Sequence, residues 1–256
     1  MTPKPLTISV AGKGGTGKTS IAALLLRAIL EKNTFEEILV VDADPASNIP
    51  DILGVESTTP IGTILDSRKR ALEGEVEEDP RVLKDQIVET IEHGEGFDYL
   101  VMGRTCGTGC YCPLNATLSR ILDETIRLYD LVLIDFDAGL EHFSRQTDTN
   151  SDVLLVITDP SRMGFETARR VKELVEELGN TYLREGLVGC RFTPEMEEQF
   201  YSNAGRIDLA PLGIVPFDNQ LLTLNLDGQN IFQLHADSPA YRAVIGLWDE
   251  ILEALG

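Results

Sequence analysis

The sequence predicts an α/β fold in which helices cover both faces of a doubly wound, mainly parallel sheet. Short apolar runs rich in β-branched residues alternate with helix-period segments along the chain. These runs are apolar throughout rather than at every second residue, which is how strands buried on both faces read. No internal repeat, low-complexity tract or long linker interrupts the 256 residues, so 1–256 is expected to be a single domain. Hydrophobic residues at 43% and charged residues at 25% suit a folded chain and exclude a disordered or fibrous one.

Taken in order, the first strand is expected at Leu6–Ala11, and the helix-period segment Thr19–Lys32 follows a glycine-rich turn. Further strands are expected at Ile38–Val41, Tyr99–Met102, Leu131–Ile134, Val153–Thr158, Leu187–Cys190 and Leu212–Val215. Helices are expected at Asn115–Leu128, Gly164–Leu178 and Pro239–Leu255. The last is amphipathic but acidic, so it reads as packed on the sheet, with Trp248 in the core. Cys190, at a strand end, reads as a small buried hydrophobe. The acidic stretch Glu73–Pro80 lacks Asp-x-Asp spacing and reads as a solvated loop or helix end.

Charge narrows the function classes. Lys+Arg 22 against Asp+Glu 42 leaves a net charge of −20, a field that repels nucleic-acid backbones and anionic lipid heads. The apolar runs fall far short of the ~20 residues of a membrane span. Met1-Thr-Pro-Lys-Pro5 leads directly into a strand without a signal-peptide apolar segment, so a cytoplasmic location is expected, with no nucleic acid and no membrane as partner. Four cysteines are too few for a disulfide scaffold and are expected as thiols, metal ligands or redox groups.

Gly12-Lys13-Gly14-Gly15-Thr16-Gly17-Lys18-Thr19 follows an expected strand and opens an expected helix, the context that a phosphate-binding loop requires. Its glycines let backbone N–H groups converge on phosphate oxygens, and the helix terminus adds partial positive charge. Lys18 is expected to reach the β and γ phosphates of a bound nucleotide, and the Thr19 hydroxyl to ligate Mg²⁺. Asp135, closing the buried run Leu131–Ile134, can hold Mg²⁺ through water, and Gly139 beyond it can sense the γ phosphate. Asp42 and Asp44 end another strand on the same sheet edge, and either can position an attacking water.

Cys106, Cys110 and Cys112 fall within one short segment ahead of the Asp135 strand. Two thiolates one residue apart, Cys110 and Cys112, do not easily complete a four-ligand site, whereas a two-fold interface would bring four. Soft sulfur ligands suit Ni²⁺, Zn²⁺, Cu⁺ or an iron–sulfur cluster, and a pair of free cysteines is the bland alternative.

The extra Lys13 resembles the deviant Walker A motif of the MinD/ParA/nitrogenase-iron-protein class of ATPases. Asp42-Ala-Asp44-Pro and Asp135-Phe-Asp-Ala-Gly139 are similar to that class's two switch regions. The resemblance implies a nucleotide-bridged homodimer in which Lys13 reaches the partner's phosphates and Asp44 orients the hydrolytic water. One departure stands out: Gly189-Cys190-Arg191 occupies the place where the class commonly has an Asn before its adenine-contacting loop.

Gly107-Thr-Gly-Cys-Tyr-Cys-Pro-Leu-Asn115, with Ala138-Gly-Leu-Glu-His142, further resembles the CooC-type accessory ATPases of carbon monoxide dehydrogenase maturation. That resemblance implies nickel, with zinc as a competitor, held by Cys110 and Cys112 across the dimer, and apo carbon monoxide dehydrogenase as client. Cys106 is then an additional ligand or a bystander. Two other readings stay open. An electron-transfer ATPase like the nitrogenase iron protein would bridge a cluster, but residues 139–143 hold no second cysteine. A partition ATPase would want a basic DNA-binding surface and a membrane-placed one a basic amphipathic C-terminal helix, and the acidic balance and acidic last helix argue against both.

Overall fold

The structure is a computed structural model that describes residues 4–44, 49–56, 59–72, 80–103, 113–136 and 151–255. Its strands are β1 (Leu6–Gly12), β2 (Ile38–Asp42), β3 (Glu92–His93), β4 (Asp98–Val101), β5 (Leu131–Asp135), β6 (Val153–Thr158), β7 (Arg184–Phe192) and β8 (Pro211–Pro216). Every apolar run expected to be a strand is one, and among the described residues only the two-residue β3 is added. The helices are α1 (Lys18–Lys32), α2 (Ile49–Leu53), α3 (Ile61–Leu72), α4 (Pro80–Val88), α5 (Pro113–Ile126), α6 (Arg162–Leu178), α7 (Glu197–Arg206), α8 (Asn219–Leu226) and α9 (Pro239–Leu255).

The sheet order is β3-β4-β2-β5-β1-β6-β7-β8, parallel throughout except for the β3–β4 edge. From β1 the chain winds outward to β2 and β4, returns to β5 beside β1, then crosses to β6 on the other side. Such a reversal opens a crevice at the carboxyl ends of the central strands, where open α/β sheets bind ligands.

Two apolar layers explain why the strands read as unbroken apolar runs. Leu131 and Leu133 of β5 pack into the layer under α1 and α9, while Val132 and Ile134 enter the opposite layer under α3 to α7. Each fully buried aliphatic side chain contributes ~2 kcal/mol, and an apolar residue is favoured at both parities because neither face meets water. Trp248 is fully buried on the α1/α9 side, its ring 6.3 Å from that of Phe35. Arg27 ties the same layer to the chain's last third. Its guanidinium lies 4.1 Å from the centre of the Tyr241 ring and donates to the Leu234 carbonyl at 2.6 Å.

The differences from expectation have local causes. β7 starts three residues before Leu187, because Arg184 and Glu185 extend the ladder opposite Val153 and Leu154. α6 starts at Arg162 rather than Gly164, since Ser161 caps it by accepting the Gly164 N–H at 3.0 Å. α5 begins and ends two residues earlier than Asn115–Leu128. Among the described side chains, the helices α2, α3, α4, α7 and α8 bury few core residues; α3 buries the i, i+4 pair Ile61 with Leu65, and α4 the pair Leu83 with Ile87. Among the described residues no helix is long and apolar enough to cross a membrane. Residues 73–79, Cys106, Cys110, Cys112, Gly139 and His142 lie outside the described residues.

Candidate functional site

The glycine loop leaves β1 at Gly12, which faces β6 so closely that a Cβ there would stand 2.2 Å from the Ile157 carbonyl oxygen. No other residue fits. Thr16 then folds the loop on itself: its hydroxyl donates to the Lys13 carbonyl at 2.8 Å, and its N–H reaches the same oxygen at 3.3 Å. Gly17 ends the loop at φ +100 and caps α1, a left-handed conformation that side chains rarely adopt. The first turn of α1 thus opens toward the loop, with its unpaired N–H groups and partial positive charge.

Beside the loop lies a cleft of about 550 Å³. Gly14, Gly15, Gly17, Lys18 and Thr19 line one end. Lys18 is 4% exposed and is part of this lining, its charge near enough to Asp135 to lower that carboxyl's pKa. Gly12, Lys13 and Thr16 stand outside the lining: the first is inside the sheet, the third inside the loop. Lys13 lies instead 3.8 Å from Asp159, just beyond the end of β6.

Three acidic residues sit at the adjoining strand ends, and the structure separates them. Asp135 is fully buried, and among the described residues neither carboxylate oxygen has a hydrogen bond of full geometry, although the Thr19 hydroxyl lies near enough to favour the anion. Burial pushes its pKa up to about 7, with Thr19 and the Lys18 charge pulling it down and Asp42 and Asp44 pushing it up. A buried carboxylate with open oxygens beside a lysine and a threonine suits a cation. Asp42 is also buried, and burial raises it to about 6, but its oxygens accept the Asp44 N–H at 3.0 Å and the Ile49 N–H at 3.2 Å. Asp42 therefore shapes the backbone after β2, and Asp44 is the one that lines the cleft.

The other end of the cleft comes from β7, β8 and α8. Cys190 packs its sulfur against the loop, 2.8 Å from where a Cβ on Gly17 would stand. Burial pushes its thiol up to about 11. Arg191 adopts φ +63, unusual for a side-chain-bearing residue, and its guanidinium donates to the Gly15 carbonyl. Phe217, half exposed, follows β8 and faces the cleft. Asp218 caps α8 by accepting the Gln220 N–H at 2.7 Å, and its second oxygen takes the Ser238 hydroxyl at 2.5 Å and the Ala240 N–H at 3.2 Å. Although burial raises the Asp218 carboxyl, these bonds outweigh it and hold the pKa below the usual carboxylate value.

Sequence reasoning missed Asp159 and the cleft walls Asp51, Ile52, Leu221 and Asn225. Asp159 has a signal in hindsight, as an acidic residue immediately after a buried strand on the loop's side of the sheet. The walls have none, being single residues of short helices.

A model of the CbiA family, the CobQ/CobB/MinD/ParA nucleotide binding domain, matches residues 7–231. An uncharacterized ATP-binding protein of Methanocaldococcus jannaschii is 38% identical over 253 residues, covering 96% of this chain and 98% of that protein. The carbon monoxide dehydrogenase accessory protein CooC of Rhodospirillum rubrum is 30% identical over 269 residues, 98% of each chain. A solved ParA family ATPase from Chlorobium tepidum superposes with a TM-score of 0.72 at 16% identity, over 96% of this chain and 98% of its own, which shows a common fold.

Proposed function

The chain belongs to the CobQ/CobB/MinD/ParA family of nucleotide-binding ATPases, and on that premise we propose an ATP-dependent metallochaperone. It binds nickel at a homodimer interface and assists insertion of the metal into apo carbon monoxide dehydrogenase. The observation that carries this reading is a register. Asp42 of β2 pairs with Val101 of β4 on one side and with Asp135 of β5 on the other. The segment with Cys110 and Cys112 leaves the end of β4, and the segment with Gly139 leaves the end of β5. Both therefore start on the sheet edge that carries the phosphate loop. Similarity to the R. rubrum accessory protein along the whole chain supports the choice of client.

In this reading the backbone of Gly12 to Thr19 cradles the triphosphate, and Lys18 neutralises its β and γ oxygens. Bound Mg²⁺ would offset further phosphate charge. The Thr19 hydroxyl, with Asp135 through water, would hold it, and the open oxygens of Asp135 suit that role. Asp44 orients the water that attacks the γ phosphate. Lys13 crosses to the second chain's phosphates, so the dimer closes on ATP and aligns four thiolates from two Cys110–Cys112 pairs. Nickel is the cargo, and zinc, which thiolates also bind readily, is its competitor.

Anaerobic elemental analysis of the protein after size exclusion with a non-hydrolysable ATP analogue tests this. One nickel per two chains is expected, lost in the Cys110→Ala/Cys112→Ala variant. Iron with inorganic sulfide would replace the reading by an electron-transfer ATPase. A dimer without metal would leave a positioning ATPase with incidental cysteines.

A further inference from the structure

We propose that Arg191 is a positioning residue for polyphosphate binding. It fixes the Gly15–Thr16 peptide of the glycine loop, keeping its carbonyl bound to a cation instead of free to turn toward the phosphates. The inference rests on the reading, given above, that residues 12–19 take the nucleotide's phosphates.

Packing does little to hold this part of the loop. A Cβ on Gly14 or Gly15 would meet no atom within 4 Å beyond its chain neighbours, and Gly15 sits at φ +79. Hydrogen bonds must therefore set the shape. At the Gly15–Thr16 peptide both ends are engaged. The Thr16 N–H donates to the Lys13 carbonyl at 3.3 Å, and the Gly15 carbonyl accepts from the Arg191 guanidinium. The first bond lies within the loop, whereas the second ties it to a strand 176 residues away. A peptide free to rotate can present its N–H or its carbonyl to an anion, and only the first attracts one.

β7 is built to deliver that guanidinium. Cys190 pairs with Val215 of β8 and Phe192 with Pro216, so Arg191 is an extra residue, a bulge. The bulge changes which face each side chain takes. Cys190 lies in the layer under α1 and α9, yet Phe192, two residues on, lies in the opposite layer. In a regular strand these two would share a face, and Arg191 would enter the second apolar layer. Instead Phe192 packs there, its ring centre 6.0 Å from Phe165 and 5.2 Å from Phe200, and Arg191 stays exposed at the cleft. The backbone of Arg191 takes φ +63, a conformation that favours glycine. Such an outlier carrying a long cationic side chain points to a use for that side chain.

The guanidinium suits the task. It carries five donors on a rigid plane and keeps its charge at any working pH. Bound to a carbonyl, it adds positive charge beside the loop without occupying any of the N–H groups that receive phosphate. Its neighbour Cys190 packs against Gly17, so two successive residues of β7 brace the loop on both sides of Thr16.

The test uses the full chain and two readouts. Calorimetry gives the affinities for ATP, ADP and inorganic tripolyphosphate, each with Mg²⁺. NMR gives the hydrogen-exchange rate of the Thr16 amide in the ligand-free protein. Arg191→Gly removes the side chain and accepts φ +63, so its denaturant midpoint should stay near the parent's. It is expected to weaken all three ligands by the same factor, about fivefold, and to speed Thr16 exchange severalfold. Arg191→Asn, which also tolerates a positive φ, should do the same, and Arg191→Lys should recover part of both losses. Unchanged affinities would overturn the proposal. Weaker ATP and ADP with unchanged tripolyphosphate would make Arg191 a contact to base or ribose and overturn it too. So would weaker tripolyphosphate with unchanged Thr16 exchange, the mark of a direct phosphate contact. Lys18→Ala tests the underlying reading separately. If tripolyphosphate binds that variant as it binds the parent, the phosphates sit elsewhere, and the role of Arg191 falls with the loop's.

Discussion

At the phosphate end of the cleft, one unbroken stretch from Gly12 to Thr19 supplies the loop, a buried cation and a helix terminus. At the far end, Cys190 and Arg191 of β7, Phe217 after β8 and Leu221 of α8 meet only because β7 and β8 pair and α8 folds back beside them. The first end is a local backbone shape, and the second is a product of tertiary packing. Phosphate is recognised by N–H groups and charge, which a short sequence can specify in full. The far wall needs shape and apolar contact, which many residue combinations can provide. The two ends touch where the Cys190 sulfur lies against Gly17 and where the Arg191 guanidinium donates to the Gly15 carbonyl.

The largest effect is expected at the phosphate end. Lys18→Ala should cost about 3 kcal/mol, roughly a hundredfold in ATP affinity by calorimetry, because its charge-assisted bonds have no substitute. An equal loss from Phe217→Ala would erase the contrast. Gly17→Ala comes next, at about 1–3 kcal/mol of stability by denaturant unfolding, since it combines φ +100 with a contact to sulfur. Adding Cys190→Ala should recover the contact part of that loss and leave the backbone part; a strictly additive pair would mean that the two ends are uncoupled.

Asp218→Ala should cost about 2 kcal/mol of stability through the lost α8 cap and the broken tie to Ser238. Its pH dependence has a defined sign. A carboxyl held below its unfolded value adds stability at pH above that value, ~3.9, and the contribution disappears as pH falls through the folded pKa. The Asp218→Ala and parent unfolding curves should therefore converge in acid and stay apart at neutral pH. The smallest effect concerns Cys190. With the thiol pushed up to about 11 and buried, iodoacetamide at pH 8 should leave the peptide containing Cys190 unmodified while an exposed control thiol is consumed.

The same contrast decides what the sequence discloses. The strands were legible because burial on both faces forces apolar residues at both parities, as in Leu131 to Ile134. The loop was legible because Gly12 and Gly17 occupy positions that other residues cannot. Asp44 and Asp42 both ended a strand, but only the structure shows that Asp42 spends its oxygens on backbone N–H groups while Asp44 lines the cleft. Asp51, Leu221 and Asn225 left no trace, because a wall residue on a short helix obeys no period and no fixed spacing. Asp159 was hidden for another reason: its meaning depends on Lys13, distant in sequence and adjacent only through β1–β6 pairing.

The proposed dimer has a phosphate end that one chain leaves incomplete, and mixing two inactive variants tests this most directly. Lys13→Gln and Asp44→Asn chains are each expected to be inactive in steady-state ATP hydrolysis. Mixed in equal amounts at saturating chain concentration they should regain activity, up to about a quarter of the parent rate where the chains pair at random, because each mixed dimer holds one site with an intact Asp44 and a partner's Lys13. A mixture as inactive as its components would place Lys13 in the service of its own chain's nucleotide and contradict the shared site.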